Sequence, residues 1–290
     1  MSATSGITKK DFLKSFTDSI VTTKAGGRLQ ARDFEIMRFI LEQKFCSLEA
    51  IYFRFFDVRK TPSEPLPKNL WTTRQRMSKL RALGFIKTEK VLSSGRAQFL
   101  LTPFGWKILT TYSQDTIQIR PTKEIDFSMF EHDSRITMIR ALTETKGKSG
   151  LWYSDKWLKS GALMIDGHKF NFVKDLRPDA FFMNSKGQKV ALELEIARKS
   201  RSRLAEKIAL FDDLIEENYR EGQGRQDDGS RFGASSIGEK FRVVDKVWFI
   251  ATKPVVARFL LKLIEAKARN PLCFRVDSYD EIVPEIARQT

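Results

Sequence analysis

The spacing of apolar side chains predicts three helices near the start of the chain. Apolar residues recur at helical intervals from Ala31 to Phe45, and Ser47 is a suitable N-cap for a second helix that continues through Phe55. A third helix is predicted from Leu70 to Leu83, with Gly84 ending it. The apolar side of this third helix is expected to contain Trp71, Met77, Leu80 and Leu83.

A hairpin and a fourth helix are predicted next. Two strand-like runs, Phe85 to Leu92 and Gln98 to Leu101, flank a turn-rich tip that carries Arg96, and the sequence LTPFGW then begins a helix. This order, with the stretches RMSKLRALGFI and FLLTPFGWKIL, resembles the winged helix-turn-helix family. The resemblance implies a domain that places its third helix in the major groove of duplex DNA and its wing against phosphates.

The third helix and the wing supply the candidate DNA-binding residues. Between residues 68 and 96 the charged side chains are basic except for Glu89, which favours contact with a polyanion. Two alternatives stay open: the charges form an ordinary solvated helix face, or the winged helix docks another protein. The residues predicted to contact DNA are Thr73, Arg74, Gln75, Arg76 and Lys79 on the helix, with Arg96 on the wing.

The overall charge agrees with a nucleic-acid partner. The chain has 290 residues and a formal net charge of +15. Residues 1–120 contain 21 basic and 10 acidic side chains, whereas the remainder contains 30 and 26. The positive charge therefore belongs mainly to the first part of the chain, where a polyanion is the expected partner. A merely soluble basic protein is the alternative.

The pattern changes near residue 122, where we predict a domain boundary. We expect a flexible basic arm at residues 1–30, a winged helix at 31–121 and an α/β domain at 122–290, with a mobile loop near 221–240. The whole is an α+β protein. In the second domain, helices are predicted at 130–143, 202–218, 255–268 and 281–287, and strands at 169–173, 180–183, 190–196, 246–251 and 272–276.

Three carboxylates are expected to meet on one predicted hairpin. Residues two apart on a strand point to the same face, so Glu193 and Glu195 project together while Leu192, Leu194 and Ile196 fill the core. Asp179, after Pro178, begins the partner strand and is expected to lie beside them. The repulsion between the three charges favours a bound cation or a basic partner. The alternatives are a strand-entry turn at Asp179 and a solvated strand face at the two glutamates.

This arrangement resembles the PD-(D/E)XK nuclease superfamily. The resemblance implies that Asp179 and Glu193 are ligands of Mg²⁺ or Mn²⁺ and that the catalytic set is Asp179, Glu193, Glu195 and Lys199. Glu195 stands where the family has its lysine, so Lys199 or Lys207 would supply the missing cation. The family's additional acidic residue would fall on Glu131 or Asp133. His132 itself is expected to be a hydrogen-bonded helix residue rather than a general base.

A narrower resemblance connects both domains. A winged helix, the EHD sequence at 131–133, the tryptophan segment 152–157, the RPD sequence at 177–179, the ELE sequence at 193–195 and the segment 207–211 resemble the replication-relaxation family of mobile-element proteins. That resemblance implies a DNA-binding role in the replication or transfer of a plasmid or mobile element.

Few other function classes remain. No apolar run approaches the roughly 20 residues that span a bilayer and no signal peptide is visible, so a cytoplasmic protein without a membrane partner is expected. Cys46 and Cys273 are too few for a disulfide framework or a thiolate zinc site. The sequence leaves three functions open: a duplex-DNA-binding protein, a Mg²⁺-dependent endonuclease, and a nuclease-like scaffold that docks replication or conjugation proteins. A homodimer is compatible with each.

Overall fold

The computed structural model describes residues 29–57, 70–91, 95–113, 117, 119–145, 149–161, 163–165, 168–170, 172, 176–197, 199–217 and 243–283. They belong to two compact units that divide after Ile125, and the sequence-based boundary lies near residue 122. Of the predicted arm only Leu29 and Gln30 are described, and the predicted loop at 221–240 lies outside the described residues.

The first unit contains four helices and one hairpin. They are α1 (Ala31–Gln43), α2 (Leu48–Phe55), α3 (Trp71–Ala82), β1 (Ile86–Val91), β2 (Arg96–Leu101) and α4 (Pro103–Tyr112). β1 and β2 pair in antiparallel register, with Ile86 opposite Leu101. The element order predicted from the apolar pattern is present, and the helix ends differ from the predicted ones by a few residues at most.

Local capping explains where two of these helices begin and end. The Ser47 hydroxyl accepts a hydrogen bond from the Ala50 N–H at 3.1 Å, which satisfies a backbone donor in the first turn of α2. After α3 the chain turns through Gly84, whose φ of +76° is accessible to glycine without strain. Ser47 and Gly84 therefore have the capping roles that the sequence predicts.

The closing helix α4 is joined tightly to the hairpin. The Thr102 hydroxyl accepts from the Gly105 N–H at 2.9 Å and donates to the Gly84 carbonyl at 2.7 Å. Pro103 occupies the first turn, where its missing N–H costs nothing. A Cβ on Gly105 would collide with the Phe85 carbonyl oxygen, so only glycine allows α4 this close to the backbone. The LTPFGW sequence thus encodes a specific packing contact.

The second unit is built around a five-stranded sheet. Its helices are α5 (Phe130–Thr145), α6 (Asp155–Ser160), α7 (Arg201–Glu217), α8 (Pro254–Lys267) and the short α9 (Tyr279–Ile282). Its strands are β3 (Ser149–Ser154), β4 (Leu163–Ile165), β5 (His168–Phe170), β6 (Ala180–Asn184), β7 (Lys189–Glu195), β8 (Lys246–Ala251) and β9 (Phe274–Ser278). β4 and β5 form a separate antiparallel hairpin.

The sheet has the order β3-β6-β7-β8-β9. β6 is antiparallel to both of its neighbours, whereas β7, β8 and β9 are mutually parallel, so one strand runs against the other four. Side chains of α7 and α8 pack with Ala191 and Phe249 on one face. Leu142 of α5 lines a groove with Val190 and Trp248 on the other face. Both faces of the central strand β7 are therefore covered, and every residue in this strand is buried.

The predicted elements of this unit need several adjustments. Strands β3 and β4 and helix α6 were not predicted, and the strand expected at 169–173 is described as β5 at His168–Phe170. The last strand begins at Phe274 instead of Leu272, because Pro271–Cys273 forms a 3-10 turn that proline favours at its start. The final helix begins at Tyr279 and is described only through Ile282. Within the described residues, no helix combines the length and apolarity that a membrane crossing requires.

Candidate nucleic-acid interface and carboxylate cluster

The outward face of α3 carries one aromatic residue followed by polar and basic ones. Positions separated by three or four residues share a helix face, and an exposed stripe with this spacing runs along α3. It consists of Trp71, Arg74, Gln75, Ser78 and Lys79. Neither Arg74 nor Lys79 forms an ion pair with any residue that the structure describes. We call this set the α3 stripe.

Two of the predicted DNA-contacting residues lie elsewhere on the helix. Thr73 is 1% exposed and faces the interior, so the prediction that it contacts DNA is wrong. Arg76 is also misassigned: its Nε and Nη2 donate to the carboxylate of Asp33 on α1, which is completely buried. The physical reason is helical phase, because positions 73, 76, 77 and 80 turn towards the core while 74, 75 and 79 turn away.

Trp71 also differs from its predicted position, because it is exposed where the sequence predicted a buried side chain. The sequence placed it on the apolar side of α3 with Met77 and Leu80, which are buried. Its side chain is instead 65% exposed. Trp71 is six positions before Met77, about 1.7 helical turns, so it is rotated roughly 120° away from Met77 and lies on the outward face with the α3 stripe.

Arg96 is the first residue of β2, beside the hairpin tip. Its Nη1 lies 3.4 Å from Glu49 Oε1 of α2, and its side chain is 38% exposed. A long, partly exposed pair of this kind contributes little to stability. Residues 92–94 of the tip lie outside the described part of the chain.

Asp179 is fixed across the β6–β7 hairpin by two backbone contacts. Its N–H donates to the Leu192 carbonyl at 3.0 Å, and its Oδ2 accepts from the Leu194 N–H at 2.8 Å. Its carboxylate therefore lies beside the strand that carries Glu193 and Glu195, as the hairpin register predicts. The turn at 184–187 sets this register, with Ala180 opposite Leu192.

Glu193 and Glu195 share one face of β7, and that face is covered. Both are 1% exposed, so the alternative of a solvated strand face is wrong. Leu192 and Leu194 are buried as expected, whereas Ile196 is only half-buried, and α7 and α8 bury the face that carries the glutamates. A buried carboxylate needs a charged or hydrogen-bonding partner.

Lysines supply those partners. Lys207, on α7, donates from Nζ to Glu193 Oε2 at 2.5 Å, and Lys199 donates to Glu195 Oε1 at 2.8 Å. Lys207 is mostly buried and is also attracted by Asp179 and Glu195, whereas the Lys199 side chain is 33% exposed. Of the two lysines that the sequence offered, Lys207 is the one that faces the whole carboxylate cluster.

His132 of α5 joins the same cluster. Its Nε2 lies 3.2 Å from Asp179 Oδ2, and its Nδ1 lies 3.5 Å from Asp133 Oδ1. Glu131 points away and pairs with Arg135 at 2.7 Å, so Asp133 is the acidic residue of α5 that is close to the site. Sequence reasoning treated His132 as an ordinary helix residue. Its contact with Asp179 depends on how α5 packs against the sheet, so no local pattern in the sequence identifies it.

The surroundings shift the pKa values of His132, Asp179, Glu193 and Lys207. Burial alone lowers the pKa of His132, but the neighbouring Asp133 and Asp179 carboxylates outweigh burial and raise it to about 10. Burial favours the neutral form of Asp179, yet the contacts with His132, the Leu194 N–H and Lys207 lower its pKa. Burial and the charge of Asp179 raise the pKa of Glu193 to about 8, against the opposing effect of Lys207.

Lys207 keeps its proton in this network. Burial lowers its pKa, but Glu193, Asp179 and Glu195 outweigh burial and raise it. Glu193 is therefore the member of the pair that takes up a proton near neutral pH.

One carboxylate oxygen of the cluster has no partner. Glu193 Oε1 is buried and forms no hydrogen bond in the described structure. An unsatisfied carboxylate oxygen next to Asp179 fits a hard cation such as Mg²⁺ or Mn²⁺, which prefers oxygen ligands and retains several waters. Among the described residues, no set of three or more side chains is arranged so that it could hold a metal ion. Asp179 and Glu193 would therefore hold such an ion with water completing its coordination.

The chain matches no protein-family profile, no characterised protein and no solved structure.

Proposed function

We propose that this protein binds duplex DNA through its first unit, acting as a winged helix-turn-helix. The α3 stripe carries the proposal, because it presents arginine, glutamine and lysine on the outside of a helix of the size that the major groove admits. Arginine and glutamine form paired hydrogen bonds with base edges, and lysine neutralises phosphates. The excess of basic residues in the first 120 positions supports the same partner.

Salt dependence of binding tests this function. We expect the variant Arg74→Ala plus Lys79→Ala to bind random-sequence duplex DNA more weakly than wild type. If both cations contact phosphates, the slope of log affinity against log salt falls by about 1.8, since each phosphate contact contributes about 0.9. The measurement is fluorescence anisotropy of a labelled duplex between low and moderate salt.

The matched control removes the same two charge types from an exposed helix elsewhere. Arg258→Ala plus Lys262→Ala changes α8 by one arginine and one lysine, both exposed. Its salt slope is expected to equal that of wild type. Equal slopes for both double variants would contradict the proposed role of α3.

A second candidate function, a Mg²⁺-dependent endonuclease, is favoured by the unpaired Oε1 of Glu193. The antiparallel β6–β7 hairpin with Asp179 and Glu193 has the arrangement that the PD-(D/E)XK resemblance implies. A bound Mg²⁺ or Mn²⁺ would supply Lewis-acid activation of water and of the phosphodiester. The replication-relaxation resemblance would assign either function to the replication or transfer of a mobile element in the cytoplasm.

The surrounding residues would position this site. His132 and the Leu194 N–H hold the Asp179 carboxylate, and Lys207 holds one oxygen of Glu193. Lys207 approaches from α7 and would bring the positive charge that Glu195 cannot. We therefore assign the lysine role to Lys207 and a pairing role with Glu195 to Lys199.

Cleavage of supercoiled DNA with Mg²⁺ or Mn²⁺ tests the second candidate. Asp179→Asn should abolish cleavage while duplex binding persists, and Asp213→Asn, the same change at an exposed ion pair with Arg269, should leave cleavage unchanged. Lys207→Met should remove activity and Lys199→Met should preserve most of it. If the wild-type protein leaves DNA intact, or if Asp179→Asn still cuts it, the endonuclease function is wrong, and the second unit is better viewed as a scaffold for protein partners.

A further inference from the structure

Trp71 is the unexplained member of the α3 stripe. Large aromatic side chains are normally buried, and the other apolar residues of α3, Met77 and Leu80, are indeed almost inaccessible. At 65% exposure Trp71 contributes little to the core of its own unit. The exposed indole at the beginning of a polar and basic helix face is accessible to a ligand that this face binds.

The backbone fixes the place from which Trp71 projects. Leu70, the residue before α3, adopts φ +40° and ψ +36°, a left-handed conformation that is unfavourable for a branched side chain. Its carbonyl accepts the Arg74 N–H at 2.9 Å, so the helix begins directly at Trp71. The indole is consequently the first side chain of α3, one turn before Arg74 and Gln75.

The neighbours of Trp71 favour DNA over a protein partner. A protein-docking aromatic is usually surrounded by further apolar side chains. On the α3 stripe the following positions are instead Arg74, Gln75, Ser78 and Lys79. This sequence of side chains offers one apolar contact and then donors and positive charge, which matches the major-groove edge of a duplex and its phosphates.

We propose that Trp71 reads thymine by packing its indole against the C5-methyl group in the major groove. The inference rests on the proposed DNA-binding function. The thymine methyl is the apolar group that a base pair presents in the major groove, and the N-terminal residues of a reading helix are those that contact base edges. Trp71 is thus a specificity-determining residue, while Arg74 and Lys79 supply affinity.

Replacing thymine by uracil removes that methyl group and nothing else. The probes are 30-base-pair duplexes of alternating dA and dT, or alternating dA and dU, and the full-length protein is titrated onto each. We expect wild type to prefer the thymine duplex by about fourfold for each methyl group that Trp71 covers. Trp71→Ala should bind both duplexes equally, and Trp71→Phe, which keeps an apolar ring, should retain part of the preference.

Phe104 provides the matched control. Its side chain is also strongly exposed, at 51%, but it lies on α4 and stacks on Phe85 with centroids 5.3 Å apart. Phe104→Ala should keep the preference for thymine. The salt slope of Trp71→Ala should equal that of wild type, because an uncharged contact releases no counterions.

The outcomes separate this inference from the function on which it rests. If Trp71→Ala still prefers the thymine duplex, or if wild type has no preference, the reading role is wrong although DNA binding stands. Tighter binding of a single-stranded dT oligonucleotide that depends on Trp71 would also overturn it, in favour of stacking on bases. If wild type binds neither duplex, the proposed function and this inference fail together.

Discussion

At the scale of single residues, the phase of α3 decides which cations can reach a ligand. Arg74 and Arg76 are two positions apart and chemically identical, yet Arg76 pairs with the buried Asp33 whereas Arg74 is exposed. The charge of one arginine stabilises the fold and that of the other is available to a partner. A count of basic residues cannot make this distinction, but burial can.

We therefore predict opposite consequences for the two substitutions. Arg76→Ala leaves the Asp33 carboxylate buried without its partner and should lower the free energy of unfolding by about 3 kcal/mol. Arg74→Ala removes an exposed side chain and should change it by less than about 0.5 kcal/mol. Urea denaturation followed by circular dichroism measures both. The double variant Asp33→Ala plus Arg76→Ala should recover part of the loss, and equal stability of the two single variants would refute the assignment.

The sequence predicted which carboxylates meet on the hairpin better than it predicted which residues of α3 are exposed. Asp179 and Glu193 meet because strand alternation and hairpin register follow from a short sequence with a clear turn. Lys207 lies 14 residues from Glu193, on a helix, so its contact depends on how α7 packs on the sheet. His132 likewise reaches Asp179 from another element. Such contacts are tertiary, and local patterns do not encode them.

At the scale of elements, the joint between the hairpin and α4 is a restrictive packing contact in the first unit. Gly105 lies against the Phe85 carbonyl, and the Thr102 hydroxyl donates to the Gly84 carbonyl and accepts from the Gly105 N–H. The LTPFGW motif could be recognised in the sequence because Thr102, Pro103 and Gly105 each have a separate role in the backbone structure. The β4 strand, by contrast, has three residues and no periodic signal, which explains why it was not predicted.

Two glycine substitutions test this joint. Gly105→Ala should lower the free energy of unfolding by about 3 kcal/mol, because the added Cβ overlaps a backbone oxygen that cannot move cheaply. Gly95→Ala, at φ +65° with open space around it, should cost only about 1 kcal/mol of backbone strain. The comparison is made by urea denaturation, and a smaller loss for Gly105→Ala than for Gly95→Ala would contradict the packing argument.

At the scale of the whole molecule, the buried cluster makes stability depend on pH. Glu193 has an ordinary pKa of 4.5 and a folded value of about 8, so the folded state holds a proton that the unfolded chain releases between these pH values. His132 does the same between 6.5 and about 10. Stability therefore falls as pH rises through both windows. The lowered pKa of Asp179 acts oppositely, because its contribution is lost as pH falls below 3.8.

The contribution of Glu193 can be isolated. In the presence of EDTA, the unfolding free energy of wild type should decline between pH 5 and pH 8, and Glu193→Gln should show a shallower decline over the same interval. The slope is compared and not the absolute stability, because the amide also changes the contact with Lys207. Parallel pH profiles for the two proteins would exclude Glu193 as the titrating group.

The burial of β7 also bears on how such a protein changes over generations. Glu193 and Glu195 lie within the central strand, and each is paired with a lysine inside or at the edge of the core. Removing one member strands a charge in an apolar interior and endangers folding. A related protein, whether catalytic or not, would therefore be selected to retain these acidic residues. If the two glutamates persist in related sequences, the reason would be that folding requires them. Differences in function would instead be found among the exposed residues of α3.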